Sequence, residues 1–266
     1  MSFKQMFYRR RWVSRLTVAA ALVVLWAAAA RFSGLPPMLL PSPAQVAQAF
    51  WRDLLQGALA AQTLTSLGVI GLGLFISVAL SLFMAVAARQ SPFLDRVFDA
   101  LSALMHPLPG MAIMPLIVIW FGTGAGAVTF VIVHACLWPL YASILTGMRG
   151  APTNYADIGR NYAMSPARIA LEILLPAALS QVLSGLRISW ARAWRALISA
   201  EMVFGAIGPH GGLGWFIFKH RAMMNTAALF AGIIAVAAVG MAVEGLLFER
   251  LEARTLRKWE EEQSWS

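Results

Sequence analysis

Residues 152–201 read PTNYADIGRNYAMSPARIALEILLPAALSQVLSGLRISWARAWRALISAE, and the rest of the chain is interpreted outward from them. The first half is polar enough to lie in water and carries two helix starts. Asn154 is placed to cap a helix, with Asp157 three residues on, where a capping box puts an acidic side chain. Ser165 followed by Pro166 is the second start: a hydroxyl for the free backbone N–H groups, then proline at the first helical position. Leu175-Pro176 closes the pair, and a long apolar helix containing arginines follows. The stretch predicts a structured polar loop, two short helices long, set between membrane spans. A loop of that length is rarely idle when the other loops are short.

Composition agrees with membrane spans on either side. The 266 residues are 59% hydrophobic and only 12% charged, with mean hydropathy +0.70. A soluble domain carries roughly a quarter charged residues, so lipid is the expected surrounding of this chain. The single Cys136 lies in an apolar run, which leaves no disulfide framework and reads as a small buried hydrophobe. The formal charge of +9 does not predict a nucleic-acid partner, because the basic residues are spread over the membrane-flanking loops.

In chain order, Lys4, Arg9, Arg10, Arg11 and Arg15 precede an apolar stretch from Leu16 to Ala30, with Trp12 and Trp26 near its ends. Composition fits either a signal peptide cut within Ala27–Ala30 or a retained first span. Residues 42–56 predict a surface helix, capped by Ser42, opened by Pro43 and followed by Gly57, with Val46, Ala47, Phe50 and Leu54 on one side. Leu64 to Ala87 is the second span. The third, about Phe98 to Phe121, is broken at His106-Pro107-Leu108-Pro109-Gly110. Proline within a span frees backbone groups that need new partners. Pro107 and Pro109 therefore mark either a pathway-lining break or a packing kink. Val128 to Met148, with Pro139 inside it, is the fourth span; the fifth ends near Phe204 and Ala227 to Phe248 is the sixth. The polar residues after Phe248 predict a solvated extension of that last span. The reading is an all-α, six-span membrane protein with a single domain over residues 1–266.

Charge sets the orientation. With an inside N-terminus the inner segments hold fourteen of the 21 Lys and Arg, and the outer segments hold four: Arg31, Arg52, Lys219 and Arg221. That bias puts both termini and the 152–176 loop in the cytoplasm.

Candidate chemistry is confined to the fifth span. A phosphate-binding loop needs a glycine-rich turn and a lysine, and Lys4, Lys219 and Lys258 sit in no such motif. His106, His134, His210 and His220 form no helical metal pair, and no Ser or Cys has an evident base near it in sequence. The fifth span, by contrast, contains Arg187, Arg192 and Arg195, with Glu201 toward its outer end. A charge at membrane depth costs at least about 2.5–3.5 kcal/mol on insertion scales. Arg187 is near enough to the inner side to snorkel. Arg192 and Arg195, three apart, share a face. Either they line an electropositive pathway for an anion or they pair internally with Glu201 or Glu244. Trp190 and Trp194, four apart, predict packing.

The ordered set of motifs resembles the permease subunits of type I ABC importers, in the nitrate/sulfonate/taurine branch. The family's loop has Glu-Ala-Ala, three residues, Gly, and Leu-Pro about a dozen residues later. Here the register gives Asp157-Ile158-Gly159, Ala163 in place of that Gly, and Leu175-Pro176. Asp for Glu and Ala for Gly are departures; Ala fits only if the backbone keeps a negative φ. Leu40-Pro41-Ser42-Pro43, Trp120-Phe121-Gly122, Gly185-Leu186-Arg187, Ala193-Trp194, Ala200-Glu201 and Gly212-Leu213-Gly214 carry the rest of the resemblance. The resemblance implies a bacterial inner-membrane homodimer, two cytoplasmic ATP-binding subunits that hold ATP and Mg, and an external substrate-binding protein. It makes residues 152–176 the coupling loop, with Asp157, Gly159, Ala163, Ser165, Leu175 and Pro176 as its contacts. Pathway candidates are Arg192, Arg195, Glu201, Pro107 and Pro109. The cargo implied is a small organic anion, nitrate or an aromatic carboxylate, with no cofactor or metal on this chain. A stand-alone secondary transporter and, more remotely, an intramembrane enzyme are the other readings.

Overall fold

The computed structural model describes residues 3–252, with side chains from Thr17 onward. Lys4, Arg9, Arg10, Arg11, Trp12 and Arg15 lie outside the described side chains, and Arg254, Arg257 and Lys258 lie outside the described residues. In chain order the helices are α1 (Phe3–Phe32), α2 (Pro43–Leu55), α3 (Leu59–Gln90), α4 (Pro92–Met105), α5 (Met114–Phe121), α6 (Ala125–Arg149), α7 (Thr153–Asn161), α8 (Pro166–Ala177), α9 (Leu179–Phe204), α10 (Leu213–Ala222) and α11 (Thr226–Glu252). Among the described residues no strand forms. The chain is an all-helical polytopic membrane protein.

A span needs about 20 apolar residues. Among the described residues, α3, α6 and α11 each meet that by length and composition; α8 and α9 meet it together, bent by 77° at Ala178. The apolar part of α1, Thr17–Phe32, is shorter. The third predicted span is split into α4 and α5, of 14 and 8 residues, so its break is wider than the two prolines alone suggested.

Two compact units divide the chain: residues 1–60 with 216–234, and residues 61–215 with 235–266. In the second unit α3 is built inside out. Ser66, Ser77 and Ser81 are fully buried, whereas Leu64, Phe75 and Phe83 are about 70% exposed (70%, 73% and 68%). Ser81 Oγ donates to the Leu137 carbonyl of α6 (3.1 Å), and Ser77 Oγ to Gly73 of its own helix (2.7 Å). Where the solvent is hydrocarbon, polar side chains turn inward and find partners.

α6 and α9 form the tightest pair. A Cβ on Gly185 would stand 2.4 Å from Ser143 Cβ, and one on Gly147 2.8 Å from Ala178 Cβ. Farther along, the Cys136 thiol donates to the Ser189 carbonyl (3.3 Å) and Ser189 Oγ to the Cys136 carbonyl (3.4 Å). Small residues at the crossing thus let the backbones approach. Trp190 stacks on Trp194 (5.6 Å between ring centroids), as packing residues should. Met84 and Ala88 of α3, Tyr141 and Ile144 of α6, and Ile169 and Leu174 of α8 close one apolar cluster, which seats α8 on the spans.

In the first unit the Ser42 side chain accepts from Gln45 N–H (3.3 Å), and Gln45 Oε1 accepts from Ser42 N–H (2.9 Å), the expected start of α2. Its buried side is Val46 and Ala49, with Phe50 and Leu54 half-buried beside them; of the predicted stripe only Ala47 faces outward. Trp26 donates to the Pro41 carbonyl (3.0 Å) and stacks on Phe230.

Candidate functional site

The α4–α5 break and the middle of α9 meet in one cavity of about 230 Å³. Pro107, Pro109 and Gly110 line it from the break, His134, Ala135, Trp138 and Pro139 from α6, and Arg192 and Arg195 from α9. Four of the five predicted pathway residues are thereby brought together. Gly110 matters because the break comes within van der Waals distance of α6: a Cβ there would lie 3.4 Å from Val131 and 4.0 Å from His134 Nδ1. Among the described residues no Asp or Glu lines the cavity.

Among the described residues neither Arg192 nor Arg195 has an ion-pair partner. The internal pairing belongs to Arg187, which meets Glu244 at 2.8 Å and Glu252 at 3.4 Å, both on α11. Buried on α6, His134 Nδ1, His134 Nε2 and Trp138 Nε1 have no protein hydrogen-bond partner among the described residues.

Glu201, the fifth predicted pathway residue, lies elsewhere. It is fully buried, accepting from Ser66 Oγ (2.7 Å) and from Gly214 N–H (2.8 Å). Ser66 Oγ in turn accepts from Leu213 N–H (2.9 Å). Gly212 and Gly214 are required there: a Cβ on Gly212 would sit 2.0 Å from Glu201 Oε1, and one on Gly214 2.4 Å from the Ile198 carbonyl. Glu201 is a latch that fixes the 205–214 loop against α3 and α9.

The polar loop is two helices packed on each other. α7 starts at Pro152, without a side-chain cap. Asn154 is thus inside the first turn rather than capping it, and Asp157 pairs with Arg160 (2.5 Å). A β/PPII proline just before Thr153 already sets the chain entering the helix, which moves the start two residues upstream. Ser165 caps α8 as read from sequence, accepting from Arg168 N–H (3.4 Å). Arg168 donates to both oxygens of Glu172 (2.9 and 3.0 Å), which holds that carboxyl below its ordinary range. Leu175-Pro176 does not end the pair. The helix widens instead, Leu175 N–H donating to the Ala170 carbonyl five residues back, and the wider turn admits Pro176, which lacks an N–H; the chain turns only at Ala178.

Ala163 closes α7 at φ +53°, in the left-handed region, where the family pattern has glycine. Ala163 N–H donates to Arg160 O (2.9 Å) and Met164 N–H to Gly159 O (3.0 Å), the paired bonds that end a helix with a left-handed residue. The negative φ that would have made alanine comfortable is not adopted. Gly159 is buried inside the loop: a Cβ would lie 2.7 Å from Ile169 Cγ1. Asp157, Ala163, Ser165 and Pro176 are exposed and Leu175 is half-buried.

Residues 77–257, about two thirds of the chain, match the family model described as the binding-protein-dependent transport system inner membrane component. The chain belongs to this family. Both the cavity and the loop fall inside the matched region. Among similar proteins, SsuC of Bacillus subtilis (strain 168), a permease protein named for aliphatic sulfonates transport, is 28% identical over 94% of this chain and 89% of its own. The taurine transport system permease protein TauC of Escherichia coli (strain K12) is 29% identical over 90% and 87%. The bicarbonate transport system permease protein CmpB of Synechocystis sp. is 26% identical over 69% and 64%.

Two features of this transport-system component escaped sequence reasoning. His134 and Trp138 carry no signal beyond their i, i+4 spacing beside Pro139. Tyr155, Ile158 and Tyr162 form an exposed apolar face on α7, with Tyr162 79% exposed. Their i, i+3, i+7 spacing was the available signal.

Proposed function

We propose that the chain forms the translocation pathway of an ATP-driven importer for a small oxyanion: a sulfonate, taurine-like compound, nitrate, bicarbonate or aromatic carboxylate. The observation that carries the anion is the couple Arg192 and Arg195, without an ion-pair partner among the described residues, in the cavity beside the Pro107–Pro109 break. Guanidinium groups match oxyanions in geometry as well as charge. The chain works as a homodimer embedded in lipid, in a bacterial inner membrane with both termini cytoplasmic, as one transmembrane domain. Two ATP-binding subunits, which hold ATP and Mg, dock on the coupling loop through Asp157, Ala163, Ser165 and the Tyr155–Ile158–Tyr162 face. Gly159, Leu175 and Pro176 shape that loop. An external binding protein delivers the cargo, and ATP-driven closure alternates the access of the cavity.

The test is reconstitution with the co-expressed ATP-binding subunit and binding protein. Uptake is expected to require ATP and to fall at least tenfold in Arg192→Gln/Arg195→Gln, a loss of about 1.4 kcal/mol or more in transit stabilisation. Uptake driven by an ion gradient without ATP would favour the secondary transporter instead.

A further inference from the structure

Resting on that pathway reading, we infer that the cavity is a transit site for one oxyanion headgroup that favours simple anions over zwitterions, with Trp138 and His134 of α6 as the polar groups that orient it.

Four observations meet here. Arg192 and Arg195 lie three residues apart on one face of α9 and have no described ion-pair partner, so two guanidinium forks are free to donate. Trp138 and His134 line the same cavity, and Trp138 Nε1 and both His134 nitrogens are buried without a protein partner among the described residues. A buried polar group without a partner carries a desolvation penalty, which a small turn of the side chain toward a bound oxygen removes. Among the described residues the lining contains no carboxylate. The volume, about 230 Å³, equals that of roughly seven or eight waters, which suits a headgroup with a short tail.

These features select by charge as well as by shape. A sulfonate, nitrate or bicarbonate presents acceptor oxygens to two cationic forks and an indole N–H. An ammonium a few ångströms from the headgroup meets the same two positive charges. The His134 ring offers it at most one acceptor, which does not offset two guanidinium groups. The site distinguishes anions that share a headgroup by what stands behind it, a discrimination separate from that made outside the membrane. The surplus positive charge is carried by long side chains, and the polar groups come from two helices. Both properties keep the site shallow, as a site that must release its cargo requires.

The probes are propane-1-sulfonate and taurine, which have the same headgroup and nearly the same size and differ in the ammonium. Equilibrium dialysis of the ³⁵S-labelled compounds against the full chain in lipid nanodiscs should give at least about tenfold tighter binding of propane-1-sulfonate. Trp138→Phe removes one donor and keeps the ring; it should weaken propane-1-sulfonate about three- to tenfold. Arg192→Gln/Arg195→Gln should abolish binding of both. Equal binding of the two probes, binding of neither, or undiminished binding in the double variant overturns the inference. If the probes bind equally while the double variant still abolishes ATP-driven uptake, the pathway reading stands and only the selectivity falls. If the wild-type chain fails to capture an ATP-binding subunit, the importer reading falls independently of either probe.

Discussion

Ala163 carries a backbone conformation its side chain does not favour. At φ +53° an L-residue with a Cβ costs about 1–2 kcal/mol. Ala163→Gly removes that cost, but glycine adds flexibility to the unfolded chain. The expected balance is a loop unchanged or up to about 1 kcal/mol firmer, seen as slower hydrogen exchange at Met164, with transport intact. Ala163→Arg adds no further φ strain, because alanine already bears it. Loss of ATPase co-purification in that variant therefore reports on the docking surface alone, and normal co-purification with normal transport would remove the loop from the docking role. Glu201 behaves differently. Glu201→Ala leaves the Gly214 N–H and the Ser66 hydroxyl without their acceptor. Destabilisation by about 2 kcal/mol or more is expected, measured as a lower melting temperature in detergent. Glu201→Gln keeps an acceptor for Gly214 and should lose less.

Between helices, contacts are set by glycines with no room above them. Gly185→Leu would drive a side chain into Ser143 and push α6 from α9, costing about 1–3 kcal/mol or more and lowering the yield of folded protein. Gly159→Val acts only within the loop. It should lift α7 from Ile169 and weaken ATPase capture, while the spans reach the membrane in normal amount. Legibility in the sequence follows the range of the forces involved. Ser165-Pro166 was readable because a cap is decided within four residues. The turn at Ala163 was not, since alanine ordinarily advertises negative φ and only the closing bonds of α7 reverse it. The place of Glu201 outside the cavity was not legible, because its decisive partner, Ser66, is 135 residues away. The convergence of Arg192, Arg195, Pro107 and Pro109 was legible from cost: charges and broken backbone at membrane depth must share whatever polar space exists.

At the scale of the whole molecule, the distribution of Lys and Arg makes a statement about sidedness. Cysteines introduced at Gln48 and Ala206, both exposed, are expected to react with an impermeant thiol reagent from outside, and one at Asn161 only from inside. The native Cys136 will not confuse the assay, being fully buried with its thiol bonded to Ser189. Outside labelling of Asn161 would invert the chain and put the loop out of reach of any cytoplasmic subunit.

The 77° turn at Ala178 has a mechanical consequence. α7 is keyed to α8 through Gly159, and the corner itself bears on Gly147 of α6. The assembly has the parts of a bell crank: a short arm made of α7 and α8, a long arm carrying Arg192 and Arg195, and a fulcrum between them. A sideways push on the short arm then emerges as rotation of the long one, turning the two arginines about the cavity without any helix having to slide along the membrane normal. Spin labels on Asn161 and Ser199 should therefore change separation little between nucleotide states, while each moves relative to a label on α3; a large change between the first two would show that the corner flexes.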